Sequence, residues 1–259
     1  MIVNTLSGIG QMSIAFLGGL GHFTRFVWKT LTCGLTPPYY TGVIQKNILE
    51  IGYFSLPVVG FTALFTGMVL ALQSYTGFSR FQGAEAIASI VALSITRELG
   101  PVLTGLMIAG RVGGAIAAEI GTMQVTQQVD ALITMSTNPM RYLIFPRILA
   151  GVIVLPLLTL VADVIGILGG YLVAIYQLDF PATFYLEQTT CFLETSDIVS
   201  GLVKACAFGF IITLASCYQG YRTYGGAAGV GRSSTQAVVT SSIGILLANY
   251  FLTSVFFQS

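Results

Sequence analysis

Five stretches of the sequence are long and apolar enough to cross a membrane as helices. They cover roughly residues 53–74, 84–111, 148–176, 198–218 and 237–257, and a membrane-spanning helix needs about 20 mostly apolar residues. Only 8% of the 259 residues are charged and 54% are hydrophobic, whereas a soluble domain carries about 25% charged residues. The chain has too few polar side chains to cover a surface that faces water on all sides. The sequence therefore predicts an all-α integral membrane protein with five transmembrane helices.

The first 47 residues differ from the rest because basic and apolar side chains are mixed there. Trp28 lies among the three basic residues of this segment, Arg25, Lys29 and Lys46. Pro37 interrupts any helix that approaches it, since proline lacks the backbone N–H. We expect residues 1–47 to form an N-terminal interfacial segment with an amphipathic helix, followed by a transmembrane domain over residues 48–259. A sixth crossing is the alternative.

Basic residues in the loops predict the orientation of the chain in the membrane. One side of a five-crossing topology collects eight of them, Arg25, Lys29, Lys46, Arg111, Arg141, Arg147, Arg222 and Arg232. The other side holds one, Arg80, together with acidic residues such as Glu85 and Asp197. Cytoplasmic loops carry the excess of Lys and Arg. The N-terminus is therefore predicted in the cytoplasm and the C-terminus outside. The net charge of +1 and the lack of a basic patch in the sequence give no support for a nucleic-acid partner, and none is expected.

The longest cytoplasmic segment, residues 112–147, contains a predicted amphipathic helix at Gln124–Met135. Its apolar residues recur at helical spacing and are Val125, Val129, Leu132 and Ile133, whereas Gln127, Gln128 and Asp130 lie on the other side. The residues "STNP" that follow end the helix, because Pro139 disfavours a helical conformation for Asn138. Such a helix either rests on lipid or docks onto a partner protein, and the pattern alone leaves both open.

Arg97 and Glu98 are full charges near the middle of the predicted second crossing, and Lys204 lies within the fourth. Each such charge costs roughly 2.5–3.5 kcal/mol at the membrane centre. Adjacent helical residues point about 100° apart, so Arg97 and Glu98 do not simply neutralise each other. Pro101 adds a bare backbone carbonyl at Arg97, since proline has no N–H to donate. Lipid does not tolerate this combination, so we expect it to face the protein interior.

Two interpretations of these charges remain open. Glu98 and Lys204 form a structural salt bridge between helices, or the three residues line a solvated pocket of net charge +1 that suits an anionic group. Asp163, in the third crossing, is a weaker candidate for the same interior.

A separate stripe of small residues, Gly105, Ala109, Gly113, Ala117 and Gly121, recurs every four positions. It predicts a close helix contact, within the chain or between two copies.

Catalytic, metal and nucleotide-binding motifs are poorly supported. "GAAGVGRS", residues 226–233, approaches a phosphate-binding loop but has Arg232 in place of lysine. A working loop of that kind lies between a strand and a helix of a nucleotide-binding domain, whereas this one joins two crossings. We therefore interpret it as a flexible cytoplasmic turn. His22 is the only histidine and no cluster of metal ligands is present, so no catalytic residue, metal or cofactor is predicted.

Four stretches together resemble the MlaE family, which comprises permease subunits of bacterial ABC transporters for phospholipids. They are "SLPVVGFTALFTGMVLALQSY", "LSITRELGPVLTGLMIAGRVGGAIAAEIGTMQVTQQVDAL", "NPMRYLIFPR" and "GGAAGVGRSSTQAVV", and the likeness covers about residues 45–257. The resemblance implies that Arg97, Glu98 and Lys204 line a lipid cavity at a dimer interface. It also implies that the helix around Gln124–Met135 is the coupling helix that enters a cleft of the ATPase.

The resemblance further implies the cellular setting and the partners. These are a homodimer in the bacterial inner membrane, an ABC ATPase subunit, a STAS-domain subunit and a periplasmic MCE-domain lipid-binding protein. The expected function is phospholipid movement between inner and outer membranes, which maintains outer-membrane lipid asymmetry. The coupling residues would be Gln124, Val125, Gln128, Val129, Asp130, Leu132 and Ile133. Many members have glutamate where this chain has Gln127, so a salt bridge to the ATPase is in doubt there.

Two other functional classes remain as alternatives. A self-sufficient secondary transporter or channel for a small anionic substrate would be expected to show inverted repeats, and the sequence shows none. A membrane anchor for a cytoplasmic complex would leave Arg97, Glu98 and Lys204 without a role.

Overall fold

The structure is a computed structural model that describes residues 2–34, 36–37, 39–78 and 87–257. Every regular element in these residues is helical, which confirms the predicted all-α class. The α-helices are α1 (Ile2–Gly34), α2 (Thr41–Gly52), α3 (Leu56–Phe78), α4 (Ile87–Ser94), α5 (Gly100–Ile108), α6 (Gly114–Val125), α7 (Gln128–Thr134), α8 (Phe145–Tyr176), α9 (Ala182–Phe192), α10 (Thr195–Tyr221) and α11 (Gly226–Phe257). A 3₁₀ turn, Tyr53–Ser55, joins α2 to α3, and π-helical turns at Ile95–Leu99 and Ala109–Gly113 join α4, α5 and α6.

Five segments in the described part of the chain are long and apolar enough to span a membrane. They are Thr41–Phe78, Ile87–Val125, Met140–Tyr176, Thr195–Tyr221 and Gly226–Phe256, and they confirm the five predicted crossings. The second and fifth extend well beyond the predicted ends because small residues such as Gly114 and Ala227 continue the helix there. Arg80 and Glu85, predicted for the outer side, lie outside the described residues.

The predicted flexible turn at residues 226–233 is wrong. Helix α11 already begins at Gly226, and the turn before it contains Gly225, whose φ of +86° suits glycine. Serine side chains support the first turns of α11: Ser233 Oγ donates to the carbonyl of Gly229 at 3.1 Å, and Ser234 Oγ donates to that of Gly114 at 3.0 Å. The glycines of this segment therefore belong to a regular helix rather than to a flexible turn.

The single helix predicted at Gln124–Met135 is also wrong. Helix α6 ends at Val125, and α7 begins at Gln128 after a break. Gln127 adopts a left-handed conformation with φ 60°, which is uncommon for a residue other than glycine. The break turns Val129 inward, where it is buried in the core.

The N-terminal helix α1 ends at Gly34, before Pro37, as the proline predicted. Arg141 holds this end: its Nε donates to the carbonyl of Cys33 at 3.2 Å and its Nη1 to that of Pro37 at 2.9 Å. The boundary predicted after residue 47 falls within α2, whose helix leads into the first crossing.

Glycines permit the closest helix contacts of the bundle. A side chain at Gly67 of α3 would collide with the backbone of Gly166 in α8, so these helices touch through their backbones. In the predicted small-residue stripe, a methyl group at Gly113 would lie 3.0 Å from Ser216 Oγ and 3.4 Å from Ile212, both in α10. The stripe therefore packs within the chain.

Candidate functional site

Arg97 and Glu98 lie in the π-helical turn Ile95–Leu99, at the start of α5. The amide of Gly100 donates to the carbonyl of Ile95, five residues earlier, and Pro101 has no amide to offer the carbonyl of Arg97. Such π-turns interrupt the regular ladder of helical hydrogen bonds and frequently occur at functional sites. The turn therefore aims two charged side chains in different directions and leaves one carbonyl available to a donor from another helix.

Lys204 of α10 supplies that donor. Its Nζ lies 2.9 Å from the carbonyl oxygen of Arg97, 2.7 Å from Glu98 Oε1 and 2.8 Å from Thr253 Oγ1. The Lys204 side chain is fully buried, whereas 37% of the Glu98 side chain is exposed. The salt bridge considered from the sequence is present, and the same ammonium also satisfies the carbonyl that Pro101 leaves without an amide.

Arg97 forms a second ion pair, with Asp197 in the first turn of α10. Its Nε and Nη2 each lie 2.7 Å from Asp197 Oδ1. Asp197 Oδ2 accepts a hydrogen bond of 3.3 Å from the amide of Glu194 and so helps to cap α10. The Asp197 side chain is 1% exposed, whereas that of Arg97 is 36% exposed. The sequence pattern places Asp197 in the outer loop and so misses it as a site residue.

Helix α11 contributes two further residues that the sequence missed. Asn249 Nδ2 donates to Glu98 Oε2 at 2.9 Å, and Thr253 Oγ1 donates to Glu98 Oε1 at 3.0 Å. They are four residues apart, so both lie on one face of the helix. Both oxygens of Glu98 are therefore held, and α4–α5, α10 and α11 meet at this carboxylate. We call Arg97, Glu98, Asp197, Lys204, Asn249 and Thr253 the charged cluster.

The charged cluster is formally neutral, because it contains two cations and two carboxylates. The pocket of net charge +1 predicted from three residues is thus wrong, since Asp197 balances Arg97. Burial divides the cluster in two layers. Lys204 and Asp197 are buried, whereas Arg97 and Glu98 each keep more than a third of their side-chain surface exposed. The accessible layer consists of Arg97 and Glu98, whose charged groups pair with different residues.

The cluster lies towards one end of the bundle rather than at its centre. Arg97 is ten residues from the start of its 39-residue span, or about 15 Å at the helical rise of 1.5 Å per residue. Asp197 lies in the first turn of α10. The second crossing extends to Val125, so Arg97 lies nearer the start than the middle of this helical span.

Asp163 does not join the charged cluster. It is buried on α8, and its Oδ1 packs against Gly100 with no hydrogen-bond partner among the described residues. Gly100 and Ala162 also border a small, mainly apolar cavity of about 20 Å³, which is room for about one water molecule. Asp163 therefore packs against the end of the turn that carries Arg97 and Glu98, without contacting their charged groups.

The predicted coupling residues divide into a buried and an exposed set. Val129 is buried and Leu132 packs against the core, whereas Ile133 is 53% and Val125 37% exposed. Gln128 and Asp130 are exposed, and Gln124 is half-buried. The exposed apolar surface around α7 is thus smaller than the sequence pattern indicated.

Comparisons with known proteins identify the family of this chain. The family model described as permease MlaE matches residues 44–255. A probable ABC transporter permease protein of Rickettsia felis is 54% identical over 258 residues, with 100% of both chains covered. The intermembrane phospholipid transport system permease protein MlaE of Haemophilus influenzae is 34% identical over 258 residues, covering 99% of each. Protein TRIGALACTOSYLDIACYLGLYCEROL 1 of Arabidopsis thaliana chloroplasts is 36% identical over 249 residues, which cover 91% of this chain and 70% of the relative. The chain therefore belongs to the MlaE family of ABC transporter permeases.

Proposed function

We propose that this chain is the membrane subunit that receives a phospholipid headgroup at Arg97 and Glu98 and moves the lipid between inner and outer membranes. The observation that carries the proposal is that the charged side chains of Arg97 and Glu98 are both partly exposed among apolar helices. Ionisable side chains within membrane spans are expensive and usually mark a substrate pathway. The name of the Haemophilus influenzae relative supports phospholipid as the substrate.

The accessible pair favours a zwitterionic headgroup. The planar guanidinium of Arg97 suits phosphate oxygens, and the carboxylate of Glu98 suits an ammonium group. Glu98 accepts three hydrogen bonds, and a carboxylate offers about four acceptor positions, so one remains for a ligand. Lys204 and Asp197 are buried and act as positioning residues that hold the pair in place.

The driving force would come from partner chains. An ABC permease works with an ATPase, and we propose that the surface formed by Val125, Gln128, Asp130 and Ile133 docks it. We further propose a homodimer, a STAS-domain subunit and a periplasmic MCE-domain protein as partners, and the maintenance of outer-membrane lipid asymmetry as the outcome. The N-terminus would lie inside and the C-terminus outside, with α1 along the cytoplasmic surface.

Photochemical labelling beside the cluster tests the proposed function. A photoreactive residue replacing Val102, four residues after Glu98 on the same face, is expected to cross-link phospholipid in the assembled complex. ATP is expected to lower that labelling several-fold as lipid leaves the site. A probe replacing Ile153, which is 43% exposed on α8, serves as the control, because it labels bulk lipid without regard to ATP. If cross-linking at Val102 is the same with and without ATP, a transport role for the charged cluster is contradicted.

Ile133→Glu is expected to release the ATPase while the permease stays in the membrane. Ile133 is 53% exposed, and burying such a side chain at an interface stabilises by about 1.5–3 kcal/mol. A loss of this size weakens association at least tenfold, which co-purification detects. Thr134→Glu places the same charge about 100° away on α7 and is the matched control. Equal ATPase recovery in both variants would exclude docking through Ile133.

A further inference from the structure

A basic cleft opens where α1 packs against the end of α10. Its volume is about 880 Å³, and its charged side chains are Arg25 and Lys29 from α1 and Arg222 after α10. No acidic side chain of the described residues lines it. Trp28, also in the lining, is 71% exposed, and tryptophan is enriched at the level of lipid headgroups. The cleft therefore combines positive charge with a side chain typical of the membrane surface.

An apolar groove lies next to this cleft, and the two spaces share one lining residue, Tyr218. It has a volume of about 720 Å³ and runs between α1, α10 and α11, with Phe23, Phe210, Leu214 and Gly244 among its lining residues. Both volumes fall within the range of about 300–1,000 Å³ found for ligand pockets. The groove borders the apolar spans of α10 and α11, and the cleft lies at the end of the α10 span, because Tyr218, Tyr221 and Arg222 line it.

Tyr218 joins the two spaces, because it lines both. Its ring packs edge-on against Phe23 and Phe26, at centroid distances of 5.2 and 5.4 Å. Arg222 Nη1 donates to the Tyr218 hydroxyl at 2.6 Å, and the guanidinium carbon lies 5.3 Å from the ring centroid. The boundary between the basic and the apolar space is thus a fixed aromatic side chain that also orients one cation.

This composite space is separate from the charged cluster. Tyr218 lies fourteen residues beyond Lys204 on α10, which is about 21 Å at the helical rise. The two sites are near opposite ends of the fourth crossing. They also differ in charge, since the cluster is neutral whereas the charged side chains among the described residues of the cleft are all cations.

We propose that the basic cleft and the apolar groove together bind one anionic phospholipid, with its headgroup at Arg25, Lys29 and Arg222 and an acyl chain along Phe23 and Phe210. The ligand must be amphipathic, because the two spaces meet at Tyr218 and differ in polarity. It must be anionic, because three cations near a membrane surface attract anionic lipid and no lining carboxylate opposes them. The bound lipid fastens α1 to α10.

A photoreactive residue replacing Gly19 tests this site, since Gly19 lines the groove and a Cβ atom added there would have no atom within 4 Å. The full-length chain, purified with its partner subunits, is reconstituted in vesicles of equal parts phosphatidylglycerol and phosphatidylethanolamine. Phosphatidylglycerol is expected to be enriched about tenfold in the cross-linked lipid. Arg25→Gln combined with Lys29→Gln is expected to abolish this enrichment, because each cation near a membrane contributes to anionic-lipid binding. Lys46→Gln, which removes an exposed cation elsewhere, is expected to leave it unchanged.

Three results would overturn the proposal. Equal labelling of both lipids by the unaltered chain means that the groove is ordinary lipid-facing surface. Displacement of the lipid by inorganic phosphate means that the cleft holds a free anion. Cross-linking to a polypeptide means that a protein covers the groove. The Arg25→Gln/Lys29→Gln variant is expected to keep the ATP-dependent labelling at Val102. Evidence against the anionic-lipid site would therefore not contradict the proposed transport function.

Discussion

Lys204→Met is expected to cause a large loss of stability in the purified complex. Methionine keeps the length of the buried side chain but removes the hydrogen bonds from Lys204 to the Arg97 carbonyl, Glu98 Oε1 and Thr253 Oγ1. Glu98 then keeps its bonds from Thr253 and Asn249 but loses its cation. Removing one partner of a buried ion pair costs roughly 3–5 kcal/mol. We expect the lower end, about 3 kcal/mol, because Glu98 is partly exposed. Thermal unfolding of the detergent-solubilised complex measures the change.

Lys46→Met is the matched control for this loss. Lys46 also pairs with a glutamate, Glu50, at 3.7 Å, but its side chain is 73% exposed. Such exposed pairs contribute about 0.5 kcal/mol or less. Combining Glu98→Gln with Lys204→Met is expected to restore part of the stability, because it removes the uncompensated carboxylate. If the Lys204→Met complex unfolds at the same temperature as the Lys46→Met control, the ammonium group of Lys204 is not structurally required.

A charge exchange between Glu98 and Lys204 would not cleanly separate a structural salt bridge from a binding site. The exchange preserves an ion pair, but a glutamate in place of Lys204 would face the carbonyl oxygen of Arg97 with no hydrogen to donate. The exchanged chain is therefore expected to be less stable than the original even if the two charges serve only to pair. Because Lys204 also bonds to the backbone, its structural role goes beyond its ion pair with Glu98. Neutral substitutions therefore distinguish a structural role from a binding role better than the exchange does.

Local physical rules were sufficient to predict the charged turn from the sequence. The angle between adjacent helical residues implied separate partners for Arg97 and Glu98, and they pair with Asp197 and Lys204. The missing amide of Pro101 implied an unsatisfied carbonyl, and Lys204 satisfies it. Both predictions depend on the geometry of one helix, which the sequence determines.

The missed residues depend on the rotation of one helix against another, which the sequence does not encode locally. Asp197 and Lys204 are seven residues apart and share a face of α10, so their spacing was a usable signal. Because other acidic residues such as Glu194 lie close to it in the sequence, Asp197 was instead predicted to lie in a loop. Asn249 and Thr253 are neutral, and only the packing of α11 distinguishes them from other polar residues of that helix.

Helix ends were predicted less well than helix centres for a related reason. Small and hydroxyl side chains, as at Gly226–Ser233 and in α6, give weak hydropathy signals but fit closely packed helices. Ser234 illustrates this, since its hydroxyl is bonded to the carbonyl of Gly114 across the α6–α11 contact. In water the same composition would favour a loop, because serine and glycine compete with helical hydrogen bonding.

Replacing both members of the Arg97–Asp197 ion pair by neutral amides, that is Arg97→Gln with Asp197→Asn, is expected to abolish transport while the complex still assembles. Removing Arg97 alone would leave a carboxylate that is 1% exposed without its cation, and misfolding would then obscure the result. The double substitution removes both charges together. The introduced asparagine also keeps an oxygen that accepts from the amide of Glu194, so the cap of α10 is preserved.

The expected loss follows from the strength of one charge-assisted contact. A hydrogen bond to a charged group contributes about 1.5–3 kcal/mol, so lipid labelling at Val102 is expected to fall roughly 10- to 100-fold. Lys46→Gln with Glu50→Gln neutralises an exposed ion pair of α2 in the same manner and is expected to change neither labelling nor assembly. If the Arg97→Gln/Asp197→Asn complex labels and transports lipid normally, the guanidinium serves only to hold α10 against the second crossing. In that case the headgroup site must be sought elsewhere, because the accessible layer of the cluster would contain no cation that the lipid needs.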